Sequence, residues 1–350
     1  MGDLASVINT LRGIAPWPVM RAMLRQKQIP ASRGWDELQE RLEGSPDRVQ
    51  FLATMEDFLH EYHLHGEKWV TFLQVPEHFR VDLSSYLKTL RAQECAATNA
   101  YPLRLPDAQI SGEEENDLQL VRVIEKNEDV ILIFSGIFTV ESKDTVYPDQ
   151  YASTGLSELF ASYEEIVLIR RKPSQYFPVL VFNADSGLMQ ALVPNLGNYG
   201  AEDVMLSNLV RSLNGFLVGP FGIDLQIHRY LNLFPAIHNI YEAASEGTVV
   251  ELGFQTDTGS AKLERMKQLD LRQEPFHVKG KAAVFNSLLE FRLAVRWVVA
   301  GHDVELLLPG TTRTIAKSAP YSLYRARISG TIDRSEFQAC ISKLLMYSVP

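Results

Sequence analysis

The spacing of apolar residues changes about a third of the way along the chain. Through residue 92 the apolar positions mostly recur every three or four residues, as on the buried face of an amphipathic helix. Residues 4–11 show this spacing clearly. Beyond residue 117 β-branched residues crowd into short runs separated by turn residues, which indicates strands. The sequence therefore predicts a helical part followed by a part that contains a sheet.

The second part alternates strand and helix patterns. Two runs at 118–126 and 129–140 flank Asn127-Glu128 and predict a hairpin. Asp333 precedes a terminal helical pattern and is a suitable N-cap residue. Further strands are predicted at 164–172, 178–184, 188–194, 247–256, 289–297, 303–310 and 322–332, with helices at 201–216 and 260–269.

These patterns predict an α+β fold, in which an N-terminal all-helical domain precedes a mixed, largely antiparallel sheet body with helices. The segment 95–116 contains two prolines and three consecutive glutamates and has no period, so we expect a linker. The predicted organisation is a helical domain at 1–94, a linker at 95–116, an α+β domain at 117–245 and a C-terminal α+β subdomain at 246–350.

Length and composition exclude several classes of protein. The 350 residues are 46% hydrophobic and 22% charged, which is a globular balance rather than a disordered one. No run approaches the ~18 apolar residues of a membrane helix, and no secretory signal is visible, so no membrane association is expected. Cys95 and Cys340 are the only cysteines, which excludes a disulfide framework and favours a reducing, cytoplasmic location.

The negative charge of the chain is concentrated in one segment. The whole chain has a formal net charge of −9, whereas residues 101–165 alone carry −10. Two short segments are basic, since 1–35 contains one acidic residue against five basic ones, as does 311–334. An overall acidic surface argues against coating nucleic acid, but two local anion-binding patches are compatible with this distribution.

The sequence of residues 19–43 predicts a helix, an extended link at 29–32 and a second helix. The apolar positions Met20, Leu24, Ile29, Leu38 and Leu42 would form a small core, and the basic residues nearby are Arg21, Arg25, Lys27 and Arg33. This layout resembles the SAP motif, a helix–extension–helix unit that binds duplex DNA. A helix N-terminus flanked by guanidinium groups suits phosphate contacts. An ordinary helical hairpin with a small core has the same spacing and remains the alternative.

A wider resemblance covers more of the chain. After these helices come the stretch from His63 through Phe72, a short helix at 81–92, the strands at 118–126 and 129–136, and a C-terminal α+β part. In order and character this is similar to the centromere protein N family of kinetochore proteins. The resemblance implies a pyrin-like helical domain, an α+β domain and docking on nucleosomal DNA. The acidic segment 101–165 departs from the basic groove expected of that family.

Arginines on two C-terminal strands suggest a second basic surface. Arg292 and Arg296 fall on one face of the 289–297 strand, and Arg325 and Arg327 on one face of another. If the two strands are neighbours, four guanidinium groups form a basic sheet face, and Arg313 lies in the segment between them. Such a face could hold a nucleic-acid backbone, an acidic partner or the chain's own 101–165 segment. A solvated outer face is the alternative.

No cofactor or metal site is predicted. His60, His63, His65 and His78 lack the further ligands that structural zinc needs, and no catalytic signature occurs. Glu164 and Glu165 beside Arg170 and Arg171 could imitate a metal nuclease site.

The preferred hypothesis is a non-enzymatic protein that docks on duplex DNA through Arg21, Arg25, Lys27, Arg33, Arg292, Arg296, Arg313, Arg325 and Arg327. It would then reside in the nucleoid or nucleus. The alternatives are an intracellular nucleic-acid-directed hydrolase and a protein–protein scaffold, with a protein partner or a homo-oligomer as the expected assembly.

Overall fold

One antiparallel sheet of eleven strands organises the residues described by the computed structural model, namely 3–30, 32–110, 117–146, 163–164, 166–197, 199–222, 230–284, 288–316 and 319–349. The strands are β1 (Lys68–Gln74), β2 (Leu118–Lys126), β3 (Asp129–Val146), β4 (Ile166–Tyr176), β5 (Val179–Asn183), β6 (Leu188–Pro194), β7 (Thr248–Thr256), β8 (Ala261–Arg265), β9 (Leu288–Val299), β10 (His302–Leu308) and β11 (Ala326–Ser329). Their spatial order is β2-β3-β5-β6-β1-β11-β10-β9-β7-β8, and β4 pairs with β3.

Helices precede the sheet and cover both of its faces. Those of the described residues are α1 (Leu4–Arg12), α2 (Trp17–Gln26), α3 (Trp35–Glu43), α4 (Arg48–His65), α5 (Arg80–Thr89), α6 (Ala96–Ala100), α7 (Asp107–Ile110), α8 (Tyr199–Phe221), α9 (Pro235–Glu242), α10 (Pro275–Ala283) and α11 (Arg334–Tyr347). The predicted α+β class, with helices first and an antiparallel sheet after them, is confirmed. None of these helices combines the length and the hydrophobicity needed to cross a membrane.

Apolar residues fill three cores around this framework. One core lies between a face of the sheet and α6, α7, α9 and α11. A second lies between the opposite face and the helices α5 and α8. The third joins α1 to α4 and includes Ile332, which follows β11. The N-terminal helices are therefore packed against the end of the sheet through an apolar contact.

The strand β1 contradicts the expectation that residues 1–94 are entirely helical. Its neighbours in the sheet are β6 on one side and β11 on the other. Val70 and Phe72 belong to the core on one face, and Trp69 and Leu73 to the core on the other. A strand buried on both faces loses the alternating pattern of a half-buried strand, and a short apolar run of this kind cannot be told from a helix by its period.

Two other sequence-based expectations are also wrong. The segment 95–116 is not an exposed linker, because α6 and α7 lie within it and Ala97, Leu105 and Ile110 are buried; residues 111–116 lie outside the described residues. The segment 260–269, expected to be a helix, contains β8, which pairs with β7. Strands from both predicted α+β units belong to the one sheet, and a boundary at residue 245 stays a prediction.

Replacing Asp333 by alanine is expected to lower the free energy of unfolding by about 0.5 to 2 kcal/mol. The carboxylate of Asp333 accepts a hydrogen bond from the backbone N–H of Glu336 at the start of α11, at 3.0 Å. It also accepts one from the side-chain amide of Gln26 in α2, at 3.1 Å. Urea denaturation of the variant and of Gln26→Ala would measure the loss. Equal losses in the two variants would contradict a capping role.

Candidate nucleic-acid interface

The segment 19–43 forms a helical hairpin with the core expected from its sequence. Met20, Leu24, Ile29, Leu38 and Leu42 are all buried there. The helix α2 ends at Gln26, with Lys27 as its C-cap residue, and α3 begins at Trp35. Arg21, Arg25, Lys27 and Arg33 thus lie on α2 and on the connection that follows it, while the five apolar residues belong to the shared core of α1 to α4.

Three cations of this hairpin are free of acidic partners. Arg21, Lys27 and Arg33 are exposed, and none of their side chains forms an ion pair or hydrogen bond with another described residue. Arg25 is also exposed, but its Nη1 donates to the backbone carbonyl of Gly301 at 3.2 Å. The hairpin therefore presents to solvent three cations that have no ion-pair partner among the described residues, and a fourth that is fixed to the turn after β9.

The start of α3 does not have the electrostatics expected of a phosphate cradle. Asp36 and Glu37 occupy its first turn. The backbone N–H of Arg33 donates to the Glu37 carboxylate at 2.9 Å, and Arg12 pairs with Asp36 at 2.7 Å. These carboxylates already occupy the region that favours an anion at a helix N-terminus. The expected combination of a helix N-terminus with guanidinium groups is wrong here.

The four C-terminal arginines share one face of the sheet, although their strands are not neighbours. The strand β10 lies between β9 and β11, so Leu307 is opposite both Arg327 and Ala294, and Glu305 is opposite Arg296. Residues opposite each other across antiparallel strands lie on the same face, as do residues two apart in one strand. Arg325 and Arg327 both lie over the ring of Trp69, at 5.2 and 5.7 Å from its centroid.

Carboxylates neutralise each of these arginines. Every one has a partner from another segment of the chain, which the pattern of its own strand could not reveal. The pairs are Arg292 with Glu251, Arg296 with Asp303 and Glu305, Arg325 with Asp203, and Arg327 with Glu67. The expectation of a basic sheet face is therefore wrong, because five carboxylates pair with these four arginines.

Glu251 shows how firmly these charges are paired. Although burial alone would raise its pKa, hydrogen bonds from Arg292 and Arg265 hold the pKa of Glu251 below its ordinary value. Breaking the pair with Arg292 for a phosphate contact would leave the largely buried Glu251 carboxylate with Arg265 as its one remaining cation among the described residues, which is unfavourable. Arg292 is thus committed to the fold rather than to a ligand.

One pocket lies between α2 and the turn that precedes β10. Arg21 and Arg25 of α2 line it with Asp303 of β10, and its volume is about 230 Å³. Asp303 is also the partner of Arg296, at 3.7 Å. Arg313 lies elsewhere, in the loop after β10, and is exposed with no side-chain partner among the described residues. Of the predicted arginines, Arg21 and Arg25 thus lie at this pocket, and Arg296 pairs with its carboxylate.

The acidic residues of segment 101–165 pair with cations other than Arg292, Arg296, Arg325 and Arg327. Within the described residues, Asp107 pairs with Lys172, Glu141 with Arg171 and Asp129 with Arg334. The idea that this segment binds Arg292, Arg296, Arg325 and Arg327 receives no support from these pairs. Glu164 is exposed, and Glu165 lies outside the described residues, so the nuclease-like carboxylate pair stays a prediction.

The N-terminal histidines have ordinary hydrogen-bond partners. His60 contacts the hydroxyl of Tyr101 at 2.9 Å, His63 the carbonyl of Pro102 at 2.8 Å, and His65 the carboxylate of Glu61 at 2.9 Å. Burial lowers the pKa of all three, so the neutral ring is favoured. These contacts account for the buried rings without a metal ion.

Sequence reasoning missed a different group with metal-ligand chemistry. His238 and Glu242 are one turn apart on α9, and Glu290 of β9 completes a set whose ligand atoms lie within 4.8 Å of one another. The spacing of His238 and Glu242 was a signal in the sequence. Glu290 accepts from His238 at 3.2 Å and Glu242 from Lys281 at 2.7 Å, so both carboxylates already have partners.

The sequence matches no protein-family model and has no significant match among curated proteins. The resemblances to the SAP motif and to the centromere protein N family therefore stay predictions. The chemistry of the site therefore has to be inferred from the geometry of its own residues.

Proposed function

We propose that the protein docks on duplex DNA through the α2–α3 hairpin, with Arg21, Lys27 and Arg33 as the contacts to the phosphate backbone. The observation that carries this proposal is that these three side chains are exposed and have no acidic partner among the described residues. Guanidinium and ammonium groups that are free of carboxylates can exchange solvent counterions for phosphates, which is the main source of sequence-independent DNA affinity.

The proposal is narrower than the sequence suggested. Arg292, Arg296, Arg325 and Arg327 are left out because each is paired with a carboxylate. Arg25 has a structural contact with Gly301 and acts by fixing α2 to the sheet. A protein of net negative charge with only three proposed phosphate contacts is expected to bind duplex DNA weakly. This binding should depend strongly on salt and should not read the base sequence.

Replacing Arg21, Lys27 and Arg33 together by glutamine is expected to abolish most duplex binding at low salt. Each lost phosphate contact should reduce the slope of log K against log salt by about 0.9. A salt-titrated gel shift with a short duplex measures both quantities. A triple variant of Lys262, Lys267 and Lys279 to glutamine makes the same change in net charge on exposed residues of the C-terminal part and serves as the control.

The outcome distinguishes local contacts from overall charge. If both triple variants weaken binding equally, only the net charge matters and the hairpin is not the site. If the wild-type protein does not bind duplex DNA at low salt, the proposed function is wrong.

A further inference from the structure

A small cavity lies where the N-terminal helices meet the sheet. Its volume is about 210 Å³, and its walls come from the end of α1, the junction of α4 with β1, the end of β4 and the residues that follow β6. Lys68 and Arg104 both line it. Lys68 is the first residue of β1, and Arg104 lies between α6 and α7. The fold thus brings two cations from separate segments to one enclosed space.

Lys68 is buried and has no ion-pair partner among the described residues. Its side chain is 3% exposed, and it forms no ion pair or hydrogen bond with any other described residue. Lysine is almost never fully buried unless it is paired, since an isolated ammonium group loses its hydration on burial. An ammonium group kept in this position without a partner is explained if a ligand supplies the partner.

Arg104 is the second cation of the cavity and is also unsatisfied. Its Nε atom is buried and has no hydrogen-bond partner. The guanidinium group lies over the ring of Tyr176, with its carbon 5.0 Å from the ring centroid. This cation–π contact orients the group but uses none of its N–H donors. The planar fork of an arginine is suited to two oxygens of one phosphate or carboxylate.

The other polar groups of the cavity do not neutralise this pair. Glu67 also lines it, but the Glu67 carboxylate accepts from the Asn195 amide at 2.9 Å and faces Arg327 at 3.8 Å. His63 is directed at the carbonyl of Pro102 and favours its neutral form because burial lowers its pKa. The pKa of Lys68 is lowered to about 7, mainly because burial removes its hydration; the charge of Glu67 opposes this effect and that of Arg104 adds to it.

We propose that this cavity binds a small multiply charged oxyanion of the phosphate type between the Lys68 ammonium and the Arg104 guanidinium groups. Two positive charges at one enclosed site match a dianion, and charge-assisted hydrogen bonds from both would satisfy donors that are otherwise unused. The volume is below the roughly 300 to 1,000 Å³ of pockets for larger ligands. Inorganic phosphate or a small phosphomonoester fits these limits, and a nucleotide does not.

Isothermal titration calorimetry with inorganic phosphate and with glycerol 3-phosphate at pH 7 tests the proposal. The wild-type protein should bind at least one of the two, and Lys68→Met and Arg104→Met should each weaken binding tenfold or more. Lys262→Met removes one exposed lysine of the same charge and should leave the affinity unchanged. Equal binding to wild type and Lys68→Met, or no binding of either probe to the wild-type protein, would overturn the proposal.

Two further measurements keep the result interpretable. Without phosphate, Lys68→Met should melt at or above the wild-type temperature, because it replaces an unpaired buried charge with an apolar chain of similar length. If that variant does not fold, the Arg104→Met titration decides in its place. Phosphate affinity should also be the same with and without saturating duplex DNA. Displacement by the duplex would assign the cavity to a polymer phosphate and overturn the proposal of a small free anion.

Discussion

Replacing Phe72 by alanine is expected to lower the free energy of unfolding by about 3 to 5 kcal/mol. Phe72 is fully buried in β1, the strand that joins the two halves of the sheet. Its ring contributes to the core that also contains Val70, Phe177 and Phe337. Residues from distant parts of the chain line this site, so local collapse cannot close the cavity that alanine would leave. The free energy of unfolding should therefore fall by most of that amount.

Urea denaturation followed by circular dichroism measures this effect. Val298→Ala provides the control, since the Val298 side chain is 75% exposed at the end of β9 and its truncation should change stability by less than about 0.5 kcal/mol. A loss below about 1 kcal/mol in Phe72→Ala would show that the two halves of the sheet do not depend on the packing of β1.

Raising the pH from 7 to 9 in phosphate-free buffer is expected to stabilise the wild-type protein relative to Lys68→Met by about 2 kcal/mol. Burial lowers the pKa of Lys68 to about 7, so the folded protein releases this proton above pH 7 while the unfolded chain retains it up to its ordinary pKa near 10.5. Unfolding therefore takes up a proton in this window, and the free energy of unfolding rises with pH. Below pH 7 both states are protonated and the dependence disappears.

Chemical denaturation at a series of pH values measures the difference between the two proteins. The groups facing Lys68 are Glu67, Arg104 and His63, and they are present in both proteins, so the comparison isolates the lysine. Parallel curves for wild type and Lys68→Met between pH 7 and 9 would show that the ammonium group is hydrated in the folded state. That result would also weaken the case for an enclosed anion site.

The sequence was informative where a local period determines structure. The run at 118–126 is rich in β-branched residues and is present as β2. The run at 289–297 alternates between two faces and lies within β9. The stretch 260–269, with Ser260 as a plausible N-cap residue, predicts a helix. Pairing with β7 makes 261–265 a strand instead, because tertiary context overrides a weak local period.

The candidate site was predictable only in part, because charge partners are long-range. The cations of the α2–α3 hairpin could be identified from composition and position. Arg325 and Arg327, however, find Asp203 and Glu67 at positions 122 and 260 residues away in sequence. No pattern within a single strand contains that information. The cavity around Lys68 was missed for the same reason, since Arg104 reaches it from a segment that looked like a linker.

The central position of β1 has a consequence for how the chain emerges from the ribosome. Residues 68–74 are made early, but their hydrogen-bonding neighbours are at 188–194 and 326–329. The backbone of this strand must therefore stay unpaired on one side until residues 188–194 have been made, and on the other side until residues 326–329 have been made. Such long-range pairing slows folding and leaves a nascent apolar strand open to association with other chains. Rapid synthesis of the chain, or a chaperone bound to this segment, should therefore raise the yield of folded protein.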